Sequence, residues 1–408
     1  MKKIVGVLLF LCLIGGGLFA YSDRISFFKL GEVEYLTQIV TEDMKHSRTI
    51  SWQAKQWDES FEVEYRKKGS FSTQSKKWDI KEMPVTQGEE RFIYTVHLDQ
   101  LEAGSEYEYQ IISGWKKSLW KSFKTEPEGD QTFKAIIFGD SQSADYDLGG
   151  KTSRVAWERN QDASFFIGMG DLVDNGQQTY QWDTWYNQGK SLFTHLPMSP
   201  LMGNHEAYSL DWQMARPENY LALFSLPSNG PDGLKGYAYS YDYGEVHFVV
   251  LSSLIKELKE FEPDLFAKQE KWLAQDLGAT KKKWKVVLMH HGLWRFPFNG
   301  SFNETGQTFM PIFDKYQVDL FFLGHVHSYS RSFPLKDGVK SGQGTVYIST
   351  GRSGDRVWPR SPGKPLDAVF YNPIDQPNYL TLEASKESLQ VKAFNLDGTS
   401  IDQVKIEK

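Results

Sequence analysis

Five apolar segments of this chain each end in residues that can bind a metal ion. The segments and their endings are FKAIIF with Gly139-Asp140, FFIGM with Gly170-Asp171, LPMSPLM with Gly203-Asn204-His205-Glu206, KVVLM with His290-His291, and VDLFFL with Gly324-His325-Val326-His327. Short continuous apolar segments are typical of strands buried on both faces of an α/β sheet. Ligands bind at the carboxyl ends of the strands in such sheets. The pattern therefore predicts that these polar side chains meet at one sheet edge.

The residue types in these endings predict a pair of transition metal ions. Carboxylate, amide and imidazole groups are suitable ligands for Mn, Fe or Zn. A carboxylate such as Asp171 can bridge two ions about 3.5–4 Å apart. On an extended strand end, His325 and His327 would point the same way, and each could bind a different ion. A single Gly-Asp at a strand end is commonly an ordinary turn, so the prediction rests on all five endings together.

Cysteine usage and net charge restrict the types of metal ligand and of binding partner. The sole cysteine, Cys12, lies in an apolar run near the N-terminus, so a metal site elsewhere can have no thiolate ligand. The net charge of −6 gives no indication of a nucleic-acid partner. Any metal site must therefore be built from oxygen and imidazole donors.

Residues 1–24 have the pattern of an export signal. Two lysines precede the apolar run from Ile4 to Ala20. The run is a little shorter than the roughly 20 residues that span a bilayer, and Leu18 occupies a position where signal cleavage after Ala20 favours a small residue. A cleaved signal peptide and an uncleaved anchor through residues 4–20 both remain open, and either predicts an exported, extracellular protein.

Two regions with different patterning follow the signal. Residues 33–126 alternate polar and apolar residues with frequent turns, which predicts a β-sandwich. A polar segment, TEPEGDQ, then serves as a linker. Residues 132–408 alternate apolar strands with helical segments such as PDLFAKQEKWLAQDL, and they end in NYLTLEASKESLQVKAFNLDG, which predicts a C-terminal β-hairpin.

The ordered set of endings resembles that of the calcineurin-like metallophosphoesterases over residues 132–350. The N-terminal segments RTISWQA and VHLDQLEAGSEYEYQI, followed by SFKT, resemble the fibronectin-type module that precedes the catalytic domain in purple acid phosphatases. The resemblance implies a four-layer α/β/β/α metallophosphoesterase sandwich preceded by an all-β fibronectin III-like sandwich.

The resemblance also implies roles for individual residues. It places one metal ion on Asp140 and His327, a second on Asn204, His290 and His325, and Asp171 as the bridge between them. His205 would lie close to the substrate as a catalytic residue. Independently of the resemblance, His291 is adjacent to a candidate ligand and is expected to point the other way, with a substrate-facing position as the alternative.

Two positions depart from the family pattern. Most metallophosphoesterases have a histidine two residues after the first aspartate, where this chain has Gln142, at best a weak ligand. Purple acid phosphatases have a tyrosine three residues after the bridging aspartate, where this chain has Asp174. The motif GDLVDNG instead resembles that of the phosphoprotein phosphatases, which implies that the Asp174 carboxylate braces His205.

The function that follows is an acid-phosphatase-like, extracytoplasmic hydrolase of small phosphoesters. The resemblance implies two Fe, Mn or Zn ions and a metal-bound hydroxide that attacks phosphorus in line. Two alternatives remain open: a phosphodiesterase or nucleotidase of the same fold, and a surface-binding protein whose metal site is weakened at Gln142.

Overall fold

The computed structural model describes residues 33–83, 91–295 and 298–408. The export signal predicted over 1–24, including Cys12 and the run 4–20, lies outside these residues. In the part of the chain that is described, no helix combines the length and the apolar character needed to cross a membrane.

The N-terminal region is an all-β sandwich, as the sequence predicts. Its strands are β1 (Glu34–Ile39), β2 (Arg48–Ala54), β3 (Phe61–Lys67), β4 (Gln74–Lys76), β5 (Asp79–Met83), β6 (Arg91–Leu98), β7 (Glu106–Ser113), β8 (Lys116–Lys117) and β9 (Lys121–Lys124). One layer has the order β1-β2-β6-β5, and the other contains β4-β3-β7-β8, with β9 on β7. Aromatic rings fill the space between them, since Trp52 stacks on Tyr94 at 5.4 Å and Phe61 meets Tyr94 edge-on at 4.8 Å.

The larger region has mixed α/β structure. Its helices are α1 (Asp147–Arg159), α2 (Thr179–Phe193), α3 (Glu218–Leu223), α4 (Leu265–Ala279) and α5 (Glu304–Tyr316). Its strands are β10 (Phe133–Phe138), β11 (Phe165–Gly168), β12 (Pro197–Pro200), β13 (Tyr239–Tyr243), β14 (Val246–Val250), β15 (Trp284–Met289), β16 (Leu320–Leu323), β17 (Tyr329–Ser332), β18 (Leu335–Lys336), β19 (Val339–Lys340), β20 (Val346–Thr350), β21 (Asp367–Tyr371), β22 (Asn378–Ala384), β23 (Ser388–Asn395) and β24 (Ser400–Glu407).

Two sheets of this region pack face to face. One sheet contains β22-β10-β11-β12, and the other has the order β13-β14-β15-β16-β20-β17-β21. Phe165 on the first sheet meets Phe248 on the second at 5.5 Å, so aromatic side chains form the inter-sheet core. Helices α1 and α2 pack beside the first sheet, and α5 packs on the second through Phe313 and Phe321 at 5.4 Å. The four-layer α/β/β/α architecture is therefore confirmed.

The β-sandwich and the α/β region share a sheet. Strand β1 pairs in parallel with β12 through Gln38 opposite Pro197 and Ile39 opposite Met198, which gives one ten-stranded sheet. The predicted linker also belongs to this junction, because Glu126 is 4% exposed and accepts the backbone N–H of Gly244 at 2.8 Å. The pairing of β1 with β12 thus attaches the first strand of the sandwich to the strand that leads to the GNHE turn.

The C-terminal segment contains one strand more than the predicted hairpin. Strands β22 and β23 pair in antiparallel fashion, and β24 pairs with β23 as a third strand. Strand β22 also pairs with β10, so these strands extend the first sheet beside the strand that leads to Asp140.

Candidate metal centre

The five polar endings come together, but they lie at the ends of strands in two sheets rather than in one. Strands β10, β11 and β12 are parallel neighbours in the first sheet, and β15 and β16 are parallel neighbours in the second. Their carboxyl ends meet, because Asp171 Oδ2 after β11 is 3.1 Å from His290 Nε2 after β15. The packing of the two sheets explains the difference, because it brings the two strand edges to the same space.

The backbone is left-handed at four residues, which lie in three of the endings. The φ angles are 49° at Asp140, 48° at Asp171, 70° at His325 and 53° at His327. Strand β16 ends at Leu323, so the expected extended conformation of the two histidines is wrong. Left-handed backbone is unfavourable for residues with a Cβ, and clusters of such residues are typical of functional sites.

One group of candidate ligands consists of Asp140, Asp171 and His327. Ligand atoms of all three lie within 4.8 Å of one another, and all three residues are buried. His327 Nε2 is 3.4 Å from Asp140 Oδ1. Burial disfavours the charged ring of His327, but the nearby Asp140 carboxylate outweighs burial and raises the pKa of the imidazole. These residues include both ligands that the resemblance implies for the first metal ion, together with the expected bridge.

A second group consists of His290, His291 and His325, whose ligand atoms also lie within 4.8 Å of one another. Asn204 joins it, because its Oδ1 is 3.2 Å from His291 Nε2. His291 was expected to point away from the metal ions, yet its ring centroid is 4.4 Å from that of His325. Burial and the neighbouring His290 lower the pKa of His291 to about 4, which keeps its ring neutral.

Asp171 lies between the two groups. Its Oδ2 is 3.1 Å from His290 Nε2, and its Oδ1 accepts the backbone N–H of His205 at 2.9 Å. Burial disfavours the ionised carboxyl, but the nearby His290 and His205 outweigh it and lower the pKa of Asp171. In return, the charge of Asp171 overcomes burial and raises the pKa of His290 to about 10. A shared carboxylate in this position fits the bridging role that the sequence predicts.

Several buried polar atoms in the centre lack hydrogen-bond partners. These atoms are Asp140 Oδ2, Gln142 Oε1 and His290 Nε2, which is 3.1 Å from Asp171 Oδ2 but not aligned for a hydrogen bond. Buried polar groups without partners are costly and rare in native proteins. Oxygen and imidazole atoms left without partners beside further carboxylate and imidazole groups fit the ligand preferences of transition metal ions.

Backbone carbonyls orient two of the imidazole rings. His290 Nδ1 donates to Met169 O at 2.9 Å, and His327 Nδ1 donates to Arg356 O at 2.8 Å. Since a carbonyl can only accept, each Nδ1 carries the proton and each Nε2 is the nitrogen available as a ligand.

Two glycines allow the ligand loops to approach closely. A Cβ at Gly203 would lie 2.1 Å from Asp171 Oδ1, and one at Gly324 would lie 2.8 Å from Asp140 Oδ2. Any side chain at either position would displace a candidate ligand. Glycine is therefore required at these two positions because there is no room for a side chain, as well as because glycine favours a sharp turn.

Gln142 lies beside the first group. Its Nε2 is 3.1 Å from His327 Nε2 and 3.3 Å from Asp171 Oδ2. It is 1% exposed. The position is therefore next to two candidate ligands, as expected for a residue that stands where related proteins have a histidine.

His205 contacts Asp174, but through a different atom from the one expected. Its Nδ1 donates to the main-chain carbonyl of Asp174 at 2.6 Å, whereas Asp174 Oδ1 is 3.9 Å away. The carboxylate pairs instead with Arg356, at 3.1 Å from Nη2. The group that orients the His205 ring is therefore the main-chain carbonyl of Asp174. The other ring nitrogen of His205, Nε2, is directed toward Asp171 Oδ2 at 3.9 Å.

Glu206 is a site residue that the sequence reasoning missed. It is fully buried, and its carboxylate accepts the backbone N–H groups of Asp171 at 2.9 Å, Leu172 at 2.8 Å and Gly203 at 2.6 Å. Burial and the charge of Asp171 raise the pKa of Glu206 to about 8, against the effect of these donors. The only signal in the sequence was its place in GNHE, three residues after a turn glycine, where its carboxylate accepts the N–H of Gly203 as in one half of a capping box.

Comparison with known proteins agrees with this geometry. The family described as calcineurin-like phosphoesterase matches residues 133–329, and the family described as purple acid phosphatase, N-terminal domain, matches residues 34–125. The α/β region therefore belongs to the calcineurin-like phosphoesterases. More particularly, the chain combines this region with an N-terminal domain of the purple acid phosphatase type.

Individual relatives are similar over part of their length. Purple acid phosphatase 15 of Arabidopsis thaliana is 29% identical over 187 residues, which are 44% of this chain and 34% of the relative. Fe(3+)-Zn(2+) purple acid phosphatase 12 of the same plant is 25% identical over 257 residues, 59% of this chain and 52% of the relative. This chain thus spans about a third to a half of the length of these relatives.

A solved structure shares the fold over most of the chain. Purple acid phosphatase PPD1 from yellow lupin (Lupinus luteus) seeds superimposes with a TM-score of 0.79 at 18% identity. The superposition covers 93% of this chain and 75% of the lupin chain. It includes both the β-sandwich and the α/β region.

Proposed function

We propose that this protein hydrolyses small phosphoesters with two transition metal ions and acts outside the cytoplasm. The observation that carries the proposal is the pair of ligand groups, Asp140-Asp171-His327 and His290-His291-His325, each within 4.8 Å. Asp171 contacts members of both groups, and ligand-type atoms there are buried without partners. Structural ion pairs rarely leave such atoms unsatisfied.

The residues would divide between the two ions. Asp140 and His327 would hold the first, Asn204, His290 and His325 would hold the second, and Asp171 would bridge them. When bound, such ions activate water as a nucleophile and neutralise charge on a phosphoryl group. The donor set favours Fe, Mn or Zn over Mg or Ca, because imidazole is the commonest donor in it. The name of the Arabidopsis relative with Fe(3+) and Zn(2+) agrees with that choice.

His205 is the candidate proton donor to the leaving group. Hydrogen bonding of Nδ1 to the Asp174 carbonyl leaves Nε2 as the nitrogen that faces the cleft. The N–H of its own backbone is held by Asp171 Oδ1 at 2.9 Å, so the ring has a fixed position relative to the ligand groups. A positioned imidazole contributes about 10²–10⁴-fold to rate as a general acid.

The exported location rests on the signal pattern of residues 1–24. A cleaved signal and an anchor through residues 4–20 are both compatible with it. The substrate would be a small phosphoester, and a monoesterase is favoured over a phosphodiesterase by the resemblance to purple acid phosphatases.

Hydrolysis of p-nitrophenyl phosphate and bis(p-nitrophenyl) phosphate, with and without added Mn²⁺, Zn²⁺ or Fe³⁺, tests the proposal. We expect metal-dependent hydrolysis of the monoester and loss of activity in Asp171→Asn. Asp162→Asn is the matched control, because Asp162 is an exposed surface residue that pairs with Lys134. If the folded protein binds metal ions but cleaves neither ester, the surface-binding alternative replaces the enzyme.

A further inference from the structure

An aromatic pair, with one ring half-buried and the other exposed, lies beside His205. Tyr208 and Trp212 follow the GNHE turn, and we call them the aromatic corner. Their ring centroids are 5.9 Å apart, and Trp212 is 50% exposed. Leu210 and Met214 on the same loop are also exposed, at 37% and 53%. The loop therefore presents an apolar surface at the edge of the cleft.

The loop that carries the aromatic corner is a tight, internally bonded turn. Ser209 N donates to Gln213 O at 2.8 Å, and Trp212 N donates to Ser209 O at 2.9 Å. An isolated bridge joins Tyr208 to Met214. Trp212 is therefore held in place by backbone hydrogen bonds even though its side chain is half exposed.

The backbone conformation of Trp212 is unfavourable for its residue type. Its φ angle is 62°, in the left-handed region where glycine, asparagine or aspartate would be less strained. A large exposed aromatic side chain in this conformation gains little from burial to offset the strain. Strain of this kind at a cleft is evidence for a functional constraint.

Both rings of the aromatic corner are perpendicular to the imidazole of His205. Tyr208 lies 5.7 Å from His205 between ring centroids at 87°, and Trp212 lies 6.2 Å away at 86°. Across the cleft, Trp358 has a different environment, since it packs on His327 at 5.2 Å and on His325 at 5.5 Å. The aromatic corner is thus on the side of the candidate proton donor, whereas Trp358 covers candidate ligands.

We propose that the aromatic corner binds a planar ring in the leaving group of the substrate, with Trp212 as the specificity-determining residue. This inference rests on the proposed function, because the group that receives a proton from His205 must leave on that side. A ring attached to the leaving oxygen, either an aryl group or the base of a nucleotide, would stack on Trp212 or meet it edge-on. An aliphatic leaving group would make neither contact.

Two matched substrate pairs test the proposal and separate the two sources of a ring. Adenosine 5′-monophosphate and ribose 5-phosphate share the same alkyl leaving oxygen and differ in the base. Phenyl phosphate and cyclohexyl phosphate differ in the planarity of a single ring. Each variant is compared with the wild type on each substrate, so that differences in intrinsic reactivity cancel.

We expect Trp212→Ala to lower kcat/KM for the ring-bearing member of at least one pair by roughly 5- to 100-fold. The loss should appear mainly in KM, and the partner substrate without the planar ring should change by less than about 2-fold. Trp212→Phe should restore most of the loss, because it retains a ring. A loss in the adenosine pair alone assigns a nucleotide, and a loss in the phenyl pair assigns an aryl ester.

Trp57→Ala is the control, because Trp57 is 53% exposed on the β-sandwich, far along the chain from the cleft. It should change neither pair. Equal losses on all four substrates in Trp212→Ala, with unchanged melting temperature, would overturn the specificity role while leaving the hydrolase intact. Absence of any hydrolysis by the wild type would instead refute the proposed function.

Discussion

The carboxylate of Glu206 accepts the backbone N–H of Asp171 at 2.9 Å. It also accepts the N–H of Gly203 at 2.6 Å, so one side chain joins the loop after β11 to the loop after β12. These loops carry the candidate bridge and the candidate ligand Asn204. Glu206 therefore fixes the distance between two parts of the metal centre without facing a metal position itself.

We expect Glu206→Gln to destabilise the fold by about 2–4 kcal/mol, because an amide group replaces an acceptor oxygen and leaves buried N–H groups without partners. Urea unfolding of the metal-free protein measures the change. Glu270→Gln on the exposed face of α4 is the control and should be within about 0.5 kcal/mol of the wild type. An unchanged midpoint in Glu206→Gln would show that the loops are held by other contacts.

His247 provides a test that is independent of the metal centre. Its Nδ1 is 2.7 Å from Asp242 and its Nε2 is 2.8 Å from Asp276. Burial opposes the charged ring, but hydrogen bonds to these carboxylates raise the pKa of His247 to about 9. Because the folded-state pKa lies above the ordinary value of 6.5, the stabilisation is fully present below pH 6.5 and is lost as the pH rises through 9.

We therefore expect the stability difference between wild type and His247→Gln to be about 3 kcal/mol larger at pH 6 than at pH 10. Urea unfolding across this range measures it. His97→Gln is the contrasting variant, since burial lowers the pKa of His97 and the charged ring is disfavoured in the fold. Relative to His97→Gln, the wild-type protein should lose stability only as the pH falls below 6.5, the ordinary pKa of histidine. A flat difference for His247 would mean that the ring is neutral between its carboxylates.

Gln142 determines the expected order of metal loss. The first ion would have Asp140, His327 and the shared Asp171, with at best a neutral amide oxygen from Gln142, whereas the second would have two imidazoles and an asparagine. We expect the first ion to leave first during stepwise chelation, and Gln142→His to tighten it, because affinity depends on donor type and number. Metal content against chelator concentration is the measurement.

The control for that experiment is Gln307→His on the exposed face of α5, which adds a histidine outside the candidate ligand groups and should not change metal content. Simultaneous loss of both ions from the wild type, together with no effect of Gln142→His, would place Gln142 outside the ligand sphere despite its 3.1 Å approach to His327.

We expect the iron-loaded protein to be colourless. The colour of purple acid phosphatases arises from a tyrosine bound to Fe(III), and Asp174 occupies that position here. The visible absorption spectrum after iron loading is the measurement. Tyr208 is the phenol to examine, since its hydroxyl is 3.4 Å from Asn204 Nδ2. An intense band that disappears in Tyr208→Phe would contradict the expectation.

The fold class and the composition of the centre were predictable because both depend on local patterns. Apolar strand segments, each followed by a polar ending, indicate where Asp140, Asp171 and His290 must lie, whatever the details of packing. The family resemblance then supplied the second sheet. The junction between β1 and β12 was not predictable, since a pairing between residues about 160 positions apart leaves no periodic signal in either segment.

Side-chain direction was the part that sequence reasoning could not settle. His291 was expected to alternate away from His290, but β15 ends at Met289 and the alternation of a strand no longer applies. The alternation of a strand does not apply to His325 and His327 either, because both residues follow the end of β16 at Leu323. Glu206 was missed because its partners are backbone N–H groups, which are present in every sequence.

His205 is the candidate proton donor to the leaving oxygen. If it protonates the leaving oxygen, the benefit should depend on how much the leaving group needs a proton. His205→Ala should slow hydrolysis of an alkyl phosphate by about 10²–10⁴-fold, or roughly 3–5 kcal/mol, and slow 2,4-dinitrophenyl phosphate far less. Steady-state kcat for both esters, at equal metal content, is the measurement.

The variant Asp174→Asn distinguishes the contribution of the Asp174 main-chain carbonyl from that of its carboxylate. Because the main-chain carbonyl of Asp174 accepts from His205 Nδ1, this variant keeps the hydrogen bond that orients the ring and removes only the charge 3.9 Å away. Asp174→Asn should also slow the alkyl phosphate more than the dinitrophenyl phosphate, but the losses in kcat should be much smaller than in His205→Ala. Because the variant removes the carboxylate that pairs with Arg356, it should also alter KM. Equal slowing of both esters in His205→Ala would mean that His205 positions phosphate or stabilises charge. A loss in Asp174→Asn as large as that in His205→Ala would mean that the carboxylate, rather than the carbonyl, supports the ring during the reaction.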